Sequence, residues 1–139
     1  MQKLTFLPTL LLSCLLTVHS AEVNFSGKAD QYTLKLKDIG EISASATAVF
    51  SADGKNFRIG TRDLPIQGPG KSSSITTPFG RAIQVDRHYG EKNDPYLFTL
   101  RIRRLIDLQA ITFQGFFHNR SEKDVNLTSL EILDATTGM

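Results

Sequence analysis

The chain predicts an all-β fold, an antiparallel β-sandwich of about seven short strands behind a cleaved signal peptide. Three observations predict it. Apolar and polar residues alternate with a period of two over most of the sequence. Turn-forming clusters punctuate that alternation about every 8–15 residues. The first twenty residues have the layout of an export leader, and the rest holds no amphipathic pattern long enough for a confident helix.

The leader sets the domain organisation. Met1-Gln2-Lys3 is a short basic start, Leu4 to Val18 is almost unbroken apolar sequence, and Val18-His19-Ser20 ends on a small residue. Charged start, apolar run and small-residue cleavage site assign residues 1–20 to a signal peptide and residues 21–139 to a single sandwich domain. Cleavage one residue later, after Ala21, fits equally well. A second reading is lipoprotein processing at Leu11-Leu12-Ser13-Cys14, with a lipid on Cys14. The apolar run that follows Cys14 disfavours it, because a lipidated start normally leads into a polar tether. The same run is too short for a membrane span, which needs roughly 20 apolar residues. The expected location is therefore secreted or periplasmic.

Composition narrows the function classes. The leader carries one lysine and no acid, so of the 16 basic residues 15 remain against 14 acidic, a net charge of +1. That balance leaves no electrostatic footprint for nucleic acid or an anionic membrane. The single cysteine lies in the leader, so the exported domain has no disulfide to hold it and depends on its core. With no tryptophan and three tyrosines, most of the large apolar bulk comes from phenylalanine.

The elements follow in order. Tyr32, Leu34 and Leu36 face one way and Thr33, Lys35 and Lys37 the other, a half-solvated strand. Ser43 to Phe50 is a strand of small residues. Ala52-Asp53-Gly54-Lys55 is a tight turn, and Phe57 to Gly60 returns, so residues 43–60 form a β-hairpin. Residues 63–80, rich in proline, glycine and serine, read as one long loop. Arg81 to His88 is a strand, and residues 91–95 are a turn. Tyr96 to Arg103 sets Phe98, Leu100 and Ile102 against Thr99, Arg101 and Arg103. Ile111 to His118 sets Ile111, Phe113 and Phe117 against Thr112, Gln114 and Phe116. Between these two, Leu100 to Ala110 also fits a short helix, although strands fit better. Asn119 to Asp124 is a polar turn. Val125 to Leu133 alternates again, with a phase change near Thr128 that implies a β-bulge.

Candidate chemistry is sparse. Gln67-Gly68-Pro69-Gly70-Lys71-Ser72 has the flavour of a phosphate-binding loop, but Pro65 stands where the motif needs a glycine and no helix follows. His88 lies beside Asp86 at a strand end, an arrangement a general base requires, with no nucleophile placed near it by the sequence. His19, His88 and His118 lack metal-ligand spacing, and no cofactor or metal is expected. Arg101, Arg103 and Arg104 form a basic cluster in which Arg101 and Arg103 share a face. Guanidinium forks bind carboxylates and sugar hydroxyls, so Arg101, Arg103 and His88 are the candidate ligand contacts. The simpler reading is a solvated strand face paired with acids. Asn24, Asn119 and Asn126 each head an Asn-x-Ser/Thr acceptor pattern, relevant if the host is eukaryotic, and Asn119 is expected to be accessible in its turn.

Two stretches carry resemblances. Phe113-Gln114-Gly115-Phe116-Phe117-His118-Asn119-Arg120-Ser121, followed through Glu122-Lys123-Asp124 by Val125 to Ala135, resembles the N-terminal β-supersandwich of the α-galactosidase and raffinose-synthase class of glycoside hydrolases. The likeness covers residues 96–135. It implies a non-catalytic domain of an exported carbohydrate-active enzyme. The family's two catalytic aspartates lie in a (β/α)₈ barrel, so no aspartate of this chain takes either role. The expected partner is then a C-terminal catalytic domain, and the end at Thr137-Gly138-Met139, just past a strong strand, has the look of a truncated domain. Val49 to Phe57 resembles the hairpin of galactose-binding-like jelly rolls, which fits a sandwich too. The alternative is a free-standing extracellular carbohydrate-binding or adhesive module. That reading is weakened by the scarcity of tryptophan and tyrosine for stacking on sugar rings.

Overall fold

The computed structural model describes residues 2–4, 9–17, 21–25, 32–36, 40–61, 71–91 and 93–136. The fold is all-β, with two antiparallel sheets and no helix among the described residues. Seven strands form the two facing layers around the core. Gly40–Ala52 (β5), Lys55–Gly60 (β6) and Val125–Thr136 (β11) belong to one sheet. Lys71–Thr77 (β7), Gly80–Tyr89 (β8), Tyr96–Leu105 (β9) and Ala110–Asn119 (β10) belong to the other. Four earlier strands extend the sheets along their backbones: Gln2–Leu4 (β1), Thr9–Thr17 (β2), Ala21–Phe25 (β3) and Tyr32–Leu36 (β4). The orders are β1-β11-β5-β4-β3, with β6 also on β5, and β2-β10-β9-β8-β7.

The core forms where the alternating faces meet. Phe50 and Ile59 of the first sheet, with Val125, Leu127 and Ile132, pack against Tyr89, Phe98, Leu100, Ile102, Ile111, Phe113 and Phe117 of the second. Ala44, Ala46 and Ala48 along β5 are fully buried, and their small side chains leave room for the opposite sheet's rings. Phe50 lies at the centre of an aromatic group, 5.3 Å from Phe57 and 4.7 Å from both Tyr96 and Phe117 between ring centroids. Such pairs add about 0.5–1.5 kcal/mol each beyond their buried area. Burial pushes the Tyr89 phenol up to about 12. At Gly115 a Cβ would lie 2.4 Å from Ile132 Cγ2, so glycine sets how closely β10 approaches β11.

The hairpin between β5 and β6 is as expected. Ala52 pairs with Lys55 across Asp53 (φ 51°) and Gly54 (φ 71°). Two successive positive φ values define the turn type whose twist suits a two-residue hairpin. Asp53 also forms an ion pair with Lys123. The phase change near Thr128 is a register shift between Leu127 and Ser129. A second shift lies between Glu131 and Asp134.

One expectation changes, one alternative falls away and one turn takes a particular form. The loop over 63–80 holds a strand, β7, which pairs with β8 from Lys71↔Asp86 to Thr77↔Gly80. Ile75, Thr76 and Thr77 are β-branched and suit an edge strand, while the breakers Pro78 and Gly80 fall at its far end. Residues 62–70 lie outside the described residues. The helical alternative over Leu100 to Ala110 gives way to a strand through Leu105 and a turn at 106–109, with Gln109 at φ 50°. Finally, the polar turn at residues 119–124 does not join neighbours of one sheet, because β10 and β11 lie in different sheets. The turn between them is an arch that carries the chain from one sheet to the other.

That arch corrects the reading of Asn119. Its side chain is 1 % exposed. Its Oδ1 accepts hydrogen bonds from the Ser121 amide (3.0 Å) and hydroxyl (2.6 Å), and its Nδ2 donates to the Lys123 carbonyl (2.8 Å). An arch leaves backbone groups without a ladder partner, and asparagine followed two residues later by serine satisfies them locally. The acceptor pattern at Asn119 therefore has a structural cause. Asn119→Ala is expected to lower unfolding free energy by about 2 kcal/mol, because it removes the three hydrogen bonds that a buried side chain makes to close the corner, and a urea titration reads this directly. Asn126 is half-buried in β11, and Asn24 lies in β3 opposite Thr33 with its side chain outside the described residues.

Candidate functional site

The outer face of β8, β9 and β10 gathers the polar side chains that the sequence singled out. Antiparallel pairing sets Gln84 opposite Arg103, Asp86 opposite Arg101 and His88 opposite Thr99. On the other flank, Thr112, Gln114, Phe116 and His118 stand opposite Arg103, Arg101, Thr99 and Leu97. Directly opposed residues share a face, so these side chains make a three-strand patch. Arg101, Arg103 and His88 are all part of it, whereas Arg104 points to the opposite side of β9.

Arg101 is the centre of the patch. Its Nε donates to Asp86 Oδ1 and its Nη2 to Asp86 Oδ2, both at 2.8 Å, a two-pronged ion pair across the strands. These hydrogen bonds hold the Arg101 guanidinium above its ordinary pKa. Its charge also sits 5.0 Å over the centre of the Phe116 ring. The plain expectation, a basic strand face neutralised by an acid across the sheet, therefore describes Arg101. Arg103 differs. Its Nε donates to the neutral Gln84 Oε1 at 2.7 Å. Burial, then the charge of Arg101, pulls its pKa down.

Asp86 is held by Arg101, which binds both its carboxylate oxygens, and Gln84 Nε2 also donates to its Oδ2 at 3.4 Å. His88 Nδ1 instead lies 2.9 Å from Thr99 Oγ1, a cross-strand hydrogen bond. Phe116 and His118 stack with centroids 6.2 Å apart and planes 13° apart. The His118 imidazole is pushed below its usual pKa by burial first, then by His88 and Arg120. The patch can accept hydrogen bonds and ion pairs over a flat area with an aromatic strip along one side. Among the described residues no three His, Cys, Asp or Glu side chains stand close enough to hold a metal ion, and no helix is long and apolar enough to cross a membrane.

Sequence reasoning found Arg101, Arg103 and His88 but missed Gln84, Thr99, Phe116 and His118 as their neighbours. Only the strand register unites them. Phe116 carried a signal, since an aromatic residue on the polar side of an alternating strand is out of phase with its core-facing neighbours.

No protein-family model, curated protein or solved structure matches the chain.

Proposed function

We propose that this chain is a non-catalytic N-terminal β-sandwich domain of an exported carbohydrate-active enzyme of the α-galactosidase-like type, with the reacting groups in a following catalytic domain. The observation that carries the reading is the form taken by residues 96–135, which bear the resemblance. They fold as β9, β10 and β11, three core-forming strands with an arch between β10 and β11 to the facing sheet. The outer face of β8–β10 is the surface such a domain would turn toward its neighbour, because its two central charges, Arg101 and Asp86, already neutralise each other.

The test joins gene and protein. The reading frame downstream of Met139 should enter a (β/α)₈ barrel, and this chain alone should leave aryl α-galactosides intact while the joined protein hydrolyses them. Hydrolysis by the isolated chain, or a stop codon directly after Met139, would refute the proposal.

A second reading, a carbohydrate-binding module, draws support from the stacked Phe116 and His118 rings beside Arg101 and His88. Its readout is binding on a glycan array that disappears in Phe116→Ala.

A further inference from the structure

In the uncleaved chain the outer edge of β10 is filled by the leader. Nine consecutive antiparallel pairs run from Ala110↔Thr17 to His118↔Thr9. Removal of residues 1–20 would take this strand away and leave β10 at the margin of its sheet. About half of its backbone N–H and C=O groups would then have no ladder partner.

Exported proteins rarely leave such an edge open. They blunt it with charge, proline, a bulge or a very short strand. β10 has none of these. It is ten residues long, contains no Lys, Arg, Asp, Glu or Pro, and pairs with β9 in unbroken register along its length. At the opposite margin β7 is shorter, rich in serine and threonine, and starts with Lys71.

We propose that the processed protein is a two-fold dimer in which β10 of one copy pairs antiparallel with β10 of a second copy. The proposal rests on the reading of residues 1–20 as a cleaved leader. A second copy suits the edge better than an unrelated strand, for reasons found in β10 itself. An antiparallel pair about a two-fold axis normal to the sheet keeps the outer face of both copies on one side. With Gln114 on that axis, each Gln114 amide meets its own equivalent, and an amide is self-complementary because it both donates and accepts. Thr112 of each copy then opposes Phe116 of the other. No like charges meet anywhere along the ten residues. The pairing restores about ten main-chain hydrogen bonds, the same ladder that the leader supplies in the precursor.

The experiment uses the full chain, exported with its own leader. Mass spectrometry reads the N-terminus of the exported product, sedimentation at micromolar concentration reads its mass, and amide exchange reads residues 110–119. The expected product starts at Ala21 or Glu22, sediments at twice the chain mass and protects the β10 amides. An uncleaved precursor, obtained with Ala21→Pro, is expected to sediment as one chain. Gln114→Glu places a charge beside Arg101, which the folded monomer accommodates, but sets two carboxylates against each other on the axis. It should weaken the dimer at least tenfold.

A processed product that sediments as one chain, with half its β10 amides exchanging freely, would overturn the dimer and leave export standing. An exported product that retains residues 1–20 would overturn the dimer and the leader reading together. A dimer indifferent to Gln114→Glu, or a complex with a different protein on β10, would also refute the proposal.

Discussion

Gly60→Ala is expected to destabilise the protein by about 3 kcal/mol, read as a fall in the urea midpoint with an unchanged slope. The cause is space. A Cβ on Gly60 would lie 2.1 Å from the Ala46 carbonyl oxygen, 2.7 Å from Thr47 Cα and 3.0 Å from the Ala46 carbonyl carbon. All three are backbone atoms, so no side-chain rotation relieves the clash. The strands must separate, and they are held there by more than the ladder. The Thr61 amide donates to that same Ala46 oxygen at 2.8 Å, and the Ala46 amide donates to Thr61 Oγ1 at 3.0 Å. Thr61 is 1 % exposed, so water does not replace what is lost. Gly54 provides the contrast. It has positive φ but nothing within 4 Å of its would-be Cβ. Gly54→Ala should therefore cost only its backbone strain, about 1 kcal/mol.

Phe50→Ala is expected to cost about 4 kcal/mol, the upper range for emptying a packed aromatic site. Phe50 touches Phe57, Tyr96 and Phe117 at once, so its removal opens a cavity where both sheets meet. Those neighbours belong to β6, β9 and β10; β6 is held by its ladder to β5, and β9 is held by ladders on both sides. Collapse into the gap is therefore limited, which is the condition for a large cavity penalty. Phe50→Leu keeps most of the volume and should recover more than half of the loss. Near-equal losses for the two variants would mean that ring geometry, rather than filled volume, governs this site.

Much of the fold was legible because alternation survives without knowledge of partners. Phe98, Leu100 and Ile102 face inward for the reason their spacing implied, and so do Ile111, Phe113 and Phe117. Asp53-Gly54 announced its turn chemically, and the slip at Thr128 showed as a break in phase. Partnership was not legible. Asp86 and Arg101 lie 15 residues apart, and only the β8–β9 register turns them into an ion pair. The strand at Lys71–Thr77 was hidden because its Ser/Thr run resembles loop composition until β8 supplies an edge to pair with. The arch at Asn119 looks like an exposed turn in the sequence because composition cannot tell a reversal within a sheet from a step between sheets. That distinction decides whether the asparagine points outward or closes the corner.

The arch also bears on where this polypeptide is best produced. In a eukaryotic secretory pathway, oligosaccharide transfer acts on nascent chains before they fold, and the triplet at Asn119 presents an acceptor at that stage. A sugar attached to Nδ2 would remove a donor that the finished corner uses and force a bulky group into a closed space. Occupancy there and correct folding exclude one another, so yield in yeast or insect cells should track how often the transferase skips this site, whereas a bacterial periplasm imposes no such competition.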